Sequence, residues 1–484
     1  MKKKLFYLSL LAISIISLSG CKKKEVLTAD IVDLGGYVGP KTSTDDWIYN
    51  NLTKPYNIEV KYKWDRTELG EFYKNVTPIK EELVIPVMEI IKKTWIEPYV
   101  AIKGEDFIKT YAQKQFYLAG SPSFNSNGTI TLGTAEAGRK IVMLDLNTFN
   151  ASNKSAVKQI LHTMHHEFGH ILNQNIAVGT DFQRITPGNY TATWFNILRG
   201  FYDPNPALDK IMFENDFWGK GFITTYSRSN KDDDFVEILA TLLEGGQANF
   251  DNIVNNLFIF DGVNIKRDGA GVYQKNTDAR EKLIKKQAFV ATYLKDSWGI
   301  DLKTLQQKTQ DAIEAQIPTP NFNSLLGVGK TFTTISVNPQ KLTGLSTKFL
   351  TAYNTANNSL KASTVARIID NISLIFNTAN KLTLRVNFLN ATAAVNAGTN
   401  ADFNFDITNV NGVIKVTYNA ATQPTTTNFK NARDIEASIP TLIAYFKDQE
   451  FTIRWVDDIV PQSKGLFGGL VKTNDATSFL FGTL

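Results

Sequence analysis

All four histidines of this 484-residue chain fall within one short segment, at His162, His165, His166 and His170. Around them, Val157, Ile160, Leu161, Met164, Phe168, Ile171 and Leu172 recur at three- and four-residue steps, the period of a helix. This predicts a helix from Ser155 to about Asn173, which puts His166 and His170 on one face, a turn apart. That is the HExxH spacing, which lets both imidazoles reach one tetrahedral zinc ion. Glu167 lies beside them, placed to take a proton from water at such an ion. The plainer reading is an amphipathic helix with partly exposed histidines, but the gathering of every histidine at one place argues against it. His162, one turn before His166, either approaches the metal or hydrogen-bonds nearby, and His165 points elsewhere.

No histidine follows His170, so the third protein ligand cannot be a downstream imidazole. A carboxylate from a later helix is required, the arrangement of gluzincins. The segment Asp232-Asp233-Asp234-Phe235-Val236-Glu237 offers it at the start of a helix expected to run to Leu243, its acids suited to the positive N-terminal end. Asp233 and Glu237 are four apart and share a face. One can bind zinc while the other orients a ligating histidine.

The chain opens with Lys2, Lys3 and Lys4, an apolar run from Leu5 to Leu18, and Leu18-Ser19-Gly20-Cys21. This is the three-part pattern of an export signal, and its ending resembles the lipobox of bacterial lipoproteins. The resemblance implies cleavage after residue 20 and a lipid on Cys21. The run is short for a bilayer span, and no later segment is apolar enough to cross. Cys21 is the single cysteine, which excludes an intrachain disulfide and a thiolate metal ligand. Three of the +5 formal charges belong to Lys2–Lys4, leaving the mature chain near neutrality and giving no argument for nucleic acid. Lys22, Lys23 and Lys24 read as a solvated tether beside the lipid.

Residues 21–40 read as a lipidated linker, rich in charge and then in glycine. Residues 41–320 read as an α+β, zincin-like domain, with strands expected at Ile58–Trp64, Phe116–Leu118, Thr129–Leu132 and Lys140–Leu146. Helices are expected at Leu83–Trp95, Thr277–Leu294 and Leu302–Ile313. The strand Lys140–Leu146 directly precedes the histidine helix, and is the expected edge for an extended peptide to pair with. Around Pro318–Pro320 the composition shifts toward Asn and Thr. Residues 325–484 read as a smaller α+β domain, with strands at Lys381–Leu389 and Phe451–Trp455, a hairpin over Phe403–Tyr418 turning at Asn411-Gly412, and a helix at Ile435–Phe446.

The stretch from Tyr226 to Glu237 resembles lethal-factor-like metallopeptidases, whose pattern is a tyrosine, six residues, then acid-x-Phe-x-Glu. Tyr226, Asp233, Phe235 and Glu237 match in order and spacing, with Asp233 where that family has Glu. The resemblance implies that Asp233 binds zinc, Glu237 supports a ligand, and Tyr226 stabilises an oxyanion. The run Leu52–Asp65, the HEFGH helix and Asp234-Phe235-Val236-Glu237 together resemble the substrate import-associated zinc metallohydrolase lipoproteins over roughly residues 30–315. That resemblance implies one zinc ion, a peptide or protein substrate, and a lipid anchor in the cell envelope, at the outer membrane. It also implies TonB-dependent transporters and surface binding lipoproteins as partners in nutrient import. Two rivals stand beside this expectation: a binding or scaffold lipoprotein whose zinc site is degenerate, and a zinc hydrolase acting on an amide other than a peptide.

Overall fold

The computed structural model describes residues 40–64, 76–124, 130–131, 133–136, 139–194, 216–261, 264–390 and 398–484. The export signal, Cys21 and most of the linker lie outside the described residues, as do Thr129 and Leu132 at the ends of one expected strand. Residues 43–484 pack as one unit, and within it two large apolar clusters dominate the core. One cluster gathers buried residues from Ile48 to Ile313, the other from Phe322 to Phe481.

The first core is built on a four-stranded sheet of β1 (Glu59–Lys61), β2 (Gln115–Leu118), β3 (Gly133–Glu136) and β4 (Lys140–Met143) in the order β1-β2-β4-β3. β1, β2 and β4 run parallel, and β3 is antiparallel to β4. The sequence expectation that the strand from Lys140 forms the free edge is corrected here: β4 is paired on both sides, and the edges of the sheet are β1 and β3. The hairpin back from β4 was hidden because Gly133–Glu136 carries no apolar alternation. α1 (Glu81–Ile91) continues through Pro86 at its middle, and packs Val84, Val87, Met88 and Ile91 into the core.

Four long helices carry much of the rest of this core: α2 (Lys154–Asn175), α3 (Lys231–Asn255), α4 (Thr277–Trp298) and α5 (Leu302–Gln316). Asn153 caps α2, accepting from the N–H groups of Ser155 and Ala156. Phe168, on the back of α2, is fully buried against Trp95, Tyr99 and Phe107. This fixes the helix rotation and turns the histidine face toward α3. Gly169 then allows close approach, since a Cβ there would stand 2.8 Å from Val236 Cγ1 on α3.

The second core takes the form of a closed barrel. Among the described residues eight antiparallel strands make it: β5 (Thr334–Val337), β6 (Arg367–Thr378), β7 (Lys381–Asn390), β8 (Thr399–Val410), β9 (Val413–Tyr418), β10 (Gln449–Trp455), β11 (Phe467–Lys472) and β12 (Asp475–Thr483). β5 closes the ring between β6 and β12. Helices α6 (Thr347–Lys361), α7 (Thr427–Glu436) and α8 (Pro440–Phe446) add Phe349, Tyr353, Ile435 and Phe446 to its core. The single helix expected over Ile435–Phe446 is two, parted before Pro440, whose missing N–H suits a helix start. No described helix is long and apolar enough to cross a membrane.

Candidate metal centre

α2 and α3 lie side by side and supply His166, Glu167 and His170 from the one and Asp233 and Glu237 from the other. His166 Nε2 and His170 Nε2 face each other at 3.1 Å. Asp233 Oδ1, from the first turn of α3, lies 3.2 Å from His170 Nε2 and 3.9 Å from His166 Nε2. Donors about 2.0–2.2 Å from a tetrahedral zinc ion stand about 3.3 Å from one another, so this trio has the spacing of a zinc ligand set.

The tautomers fit as well. His166 Nδ1 lies 2.7 Å from Glu237 Oε1. Burial opposes a charge on Glu237, but His162 and His166 outweigh it and hold its carboxyl well below the usual range. An ionised carboxylate only accepts, so His166 Nδ1 carries a proton, and Nε2, turned toward His170, is the nitrogen left to meet a metal. A nitrogen so turned, with a carboxylate and a second imidazole beside it, is a donor set for a cation. Glu237 therefore orients His166 from behind, and Asp233 is the acid that meets both imidazoles. Each carboxylate is anchored in turn. Thr224 Oγ1 donates to Glu237 Oε2 at 2.6 Å. Asn230 Nδ2 donates to Asp233 Oδ2 at 2.7 Å, and the Ser229 hydroxyl donates to the same oxygen. The Asn230 side-chain oxygen also caps α3, accepting from the N–H groups of Asp232 and Asp233.

His162 reaches the same Glu237 Oε1 through Nε2 at 3.0 Å, with Nδ1 3.9 Å from Glu244. Burial works against its charge, yet the two carboxylates push its pKa up to about 10. It is thus a cationic support for Glu237. His165 is fully buried on the opposite side, 3.4 Å from the Tyr99 hydroxyl, and burial takes its pKa down to about 3. Glu167 is half-buried, and desolvation raises its pKa even though His166 and His170 pull the other way. Tyr226 sits over the centre, its ring 5.6 Å from that of His166 and 5.1 Å from Trp194. Burial, then the charge of Asp233, drives its phenol pKa upward, so it stays a proton donor.

Sequence reasoning missed Thr224, Ser229, Asn230, Glu244 and Trp194. Asn230 alone left a local signal, an Asn before an acidic helix start. The others reach the centre from loops or from a helical turn whose register only the packing reveals.

The sequence profile of the family described as "Putative zinc-binding metallo-peptidase" matches residues 38–303, more than half of the chain. A crystal structure of a "putative zinc-binding metallo-peptidase" from Bacteroides caccae ATCC 43185 is 28% identical, covering 56% of this chain and 92% of that one, with a TM-score of 0.42. No curated protein matches. The family segment contains the whole of the α2–α3 centre, and on that match the chain belongs to this family of zinc-binding metallo-peptidases, with zinc as its metal.

Proposed function

We propose that the chain is a zinc-dependent peptidase of the zincin-like, HExxH gluzincin class, anchored in the cell envelope by a lipid on Cys21. The observation that carries the reading is the convergence of His166 Nε2, His170 Nε2 and Asp233 Oδ1 within 3.9 Å of one another. These three would hold one zinc ion, which when bound brings water to reactivity near neutral pH and polarises a carbonyl. Glu167, a stronger base for its burial, takes the proton of the attacking water and returns it to the departing amine. Tyr226 stays protonated and donates a hydrogen bond to the carbonyl oxygen as charge develops there. Glu237 keeps His166 in the required tautomer, and His162 keeps Glu237 ionised. The outer edge of β3 is where an extended peptide would add as a strand.

The lipobox-like ending at Cys21 supports attachment to a membrane of the cell envelope through a lipid. The resemblance to import-associated lipoproteins supports a TonB-dependent transporter and a surface binding lipoprotein as partners. The test is cleavage of peptide mixtures by the purified mature chain beside the Glu167→Gln variant. Loss of cleavage by at least a hundredfold in the variant, with zinc still bound, is expected. A parent that holds zinc and cleaves no peptide sinks the reading in favour of a binding lipoprotein. Membrane fractionation of Cys21→Ser checks the anchor: the variant is expected in the soluble fraction.

A further inference from the structure

Tyr226 stands in a single helical turn, Tyr226–Arg228, that leads into α3. The backbone of this turn is well tied. Ser227 N–H donates to Thr224 Oγ1 at 3.1 Å, and Ser229 N–H donates to the Tyr226 carbonyl at 2.9 Å. Neither bond holds the ring. Tyr226 is 37% exposed, and an aromatic side chain at the surface of a fixed backbone still has staggered χ1 positions to choose among. Two neighbouring rings select one of them. The His166 imidazole lies 5.6 Å away at 32°, a surface for the phenol ring to rest on. The Trp194 indole meets the same ring edge-on, at 5.1 Å and 73°, an arrangement that aromatic pairs prefer. A surface alone does not stop a ring sliding off it into water, whereas an edge-on neighbour does.

The indole is placed by more than this contact. It follows a strap, residues 189–193, that is sewn to the turn carrying Tyr226 and to α3. Thr191 N–H donates to the Arg228 carbonyl at 2.7 Å, and Arg228 Nε donates to the Asn189 carbonyl at 3.3 Å. Arg228 is itself buried and paired with Asp216. The Tyr190 hydroxyl donates to Asp234 on α3 at 2.9 Å, and its ring packs edge-on to Phe222. Trp194 N–H then closes a turn on the Thr191 carbonyl at 3.3 Å. Strap and turn are thus one body, and the separation of indole and phenol is set by bonds that involve neither ring.

We infer that Trp194 is a positioning residue, which keeps the Tyr226 ring against His166 with its hydroxyl at the metal centre. This rests on the peptidase reading above and supplies what holds the oxyanion donor of that reading in place. The hydroxyl acts only as charge develops on the carbonyl oxygen, so misplacing it lowers kcat and leaves substrate binding alone. A displacement of about 1 Å costs about a hundredfold in rate.

The test is a double-mutant cycle on the zinc-loaded full chain, with kcat and KM measured on a peptide that the parent cleaves. Trp194→Ala is expected to lower kcat at least tenfold, with KM and zinc affinity within about twofold of the parent. Trp194→Phe, which keeps a ring edge, should stay within about threefold. In a Tyr226→Phe background, adding Trp194→Ala should cost less than about twofold, because the hydroxyl it positions is gone. An unchanged kcat, a loss of the same size in both backgrounds, a rise in KM at constant kcat, or a loss of zinc affinity overturns the inference. The indole would then act on the substrate, on the fold or on nothing, and the peptidase reading would stand. A parent that cleaves nothing fails the peptidase reading instead. The inference is then judged by the crystal structure of zinc-loaded Trp194→Ala: a Tyr226 ring turned away from His166 upholds it, and a ring still resting on His166 removes it.

Discussion

Asp233 and Asp234 are adjacent in the chain and opposite in fate. Asp233 turns to His170, whereas Asp234 turns into the core and meets Lys286 of α4 at 2.6 Å, both side chains fully buried. Burial pushes the Asp234 pKa up to about 6, although Lys286 and the Tyr190 hydroxyl at 2.9 Å pull it back. Lys286 also donates to the Gly221 carbonyl at 2.7 Å and lies 4.1 Å from the Phe222 ring. Because successive helical residues point about 100° apart, pinning Asp234 inward aims Asp233 at the histidines. Removing one partner of a buried pair leaves the other charge stranded, so Lys286→Met is expected to cost about 3–5 kcal/mol. Adding Asp234→Asn should recover most of that loss. Denaturant unfolding of the metal-free chain measures both, and a single-variant cost under about 1 kcal/mol would show that the pair does not fix this turn. The sequence disclosed His166, Glu167 and His170 because their relation is local, set by helical spacing. Lys286 was illegible, because its partner is remote along the chain and a lysine in an exposed-looking helix leaves no local mark.

Between helices, the decisive contact is the one Gly169 makes possible. An alanine there gains about 1 kcal/mol in helix propensity, but its methyl would lie 2.8 Å from Val236 Cγ1, and overpacking of this kind costs about 1–3 kcal/mol. The expected result for Gly169→Ala is a modest loss of stability with at least a tenfold loss of zinc affinity, as α3 is pushed away and Asp233 with it. Val236→Ala in the same chain should restore the affinity, read by competition with a zinc-responsive dye; unchanged affinity in Gly169→Ala alone would mean that the helices need not sit so close. At this scale the sequence was readable where the period is unbroken. α2 was expected at Ser155–Asn173 and spans Lys154–Asn175. α3 was expected to stop at Leu243, just before Gly245-Gly246. It runs on to Asn255 across a kink at Gly246, whose φ of 78° suits glycine. β6 escaped notice since register shifts near Ile369 and Phe376 interrupt its alternation.

Across the whole molecule, the kink in α3 is also where the barrel touches the helix that carries Asp233 and Glu237. Gln462 of the barrel accepts the Gln247 N–H at 2.6 Å and donates to Gln307 Oε1 at 3.2 Å. Gln310 caps the other side of the break, donating to the carbonyls of Leu243 and Glu244. A second junction joins Arg267 and Tyr273 to Asp370 on β6, at 2.6 and 2.5 Å. All the metal-centre groups nevertheless come from residues before the barrel, and the two apolar cores are separate. A chain ended after Pro320 should therefore still bind zinc while melting at a lower temperature than the parent. Gln462→Ala in the full chain should account for only part of that drop, about 1 kcal/mol, the size of a lost helix cap. Differential scanning calorimetry with zinc titration separates the cases. A truncated chain with the parent's melting temperature would make the barrel an independent passenger, whereas one unable to hold zinc would make the barrel part of what positions α3.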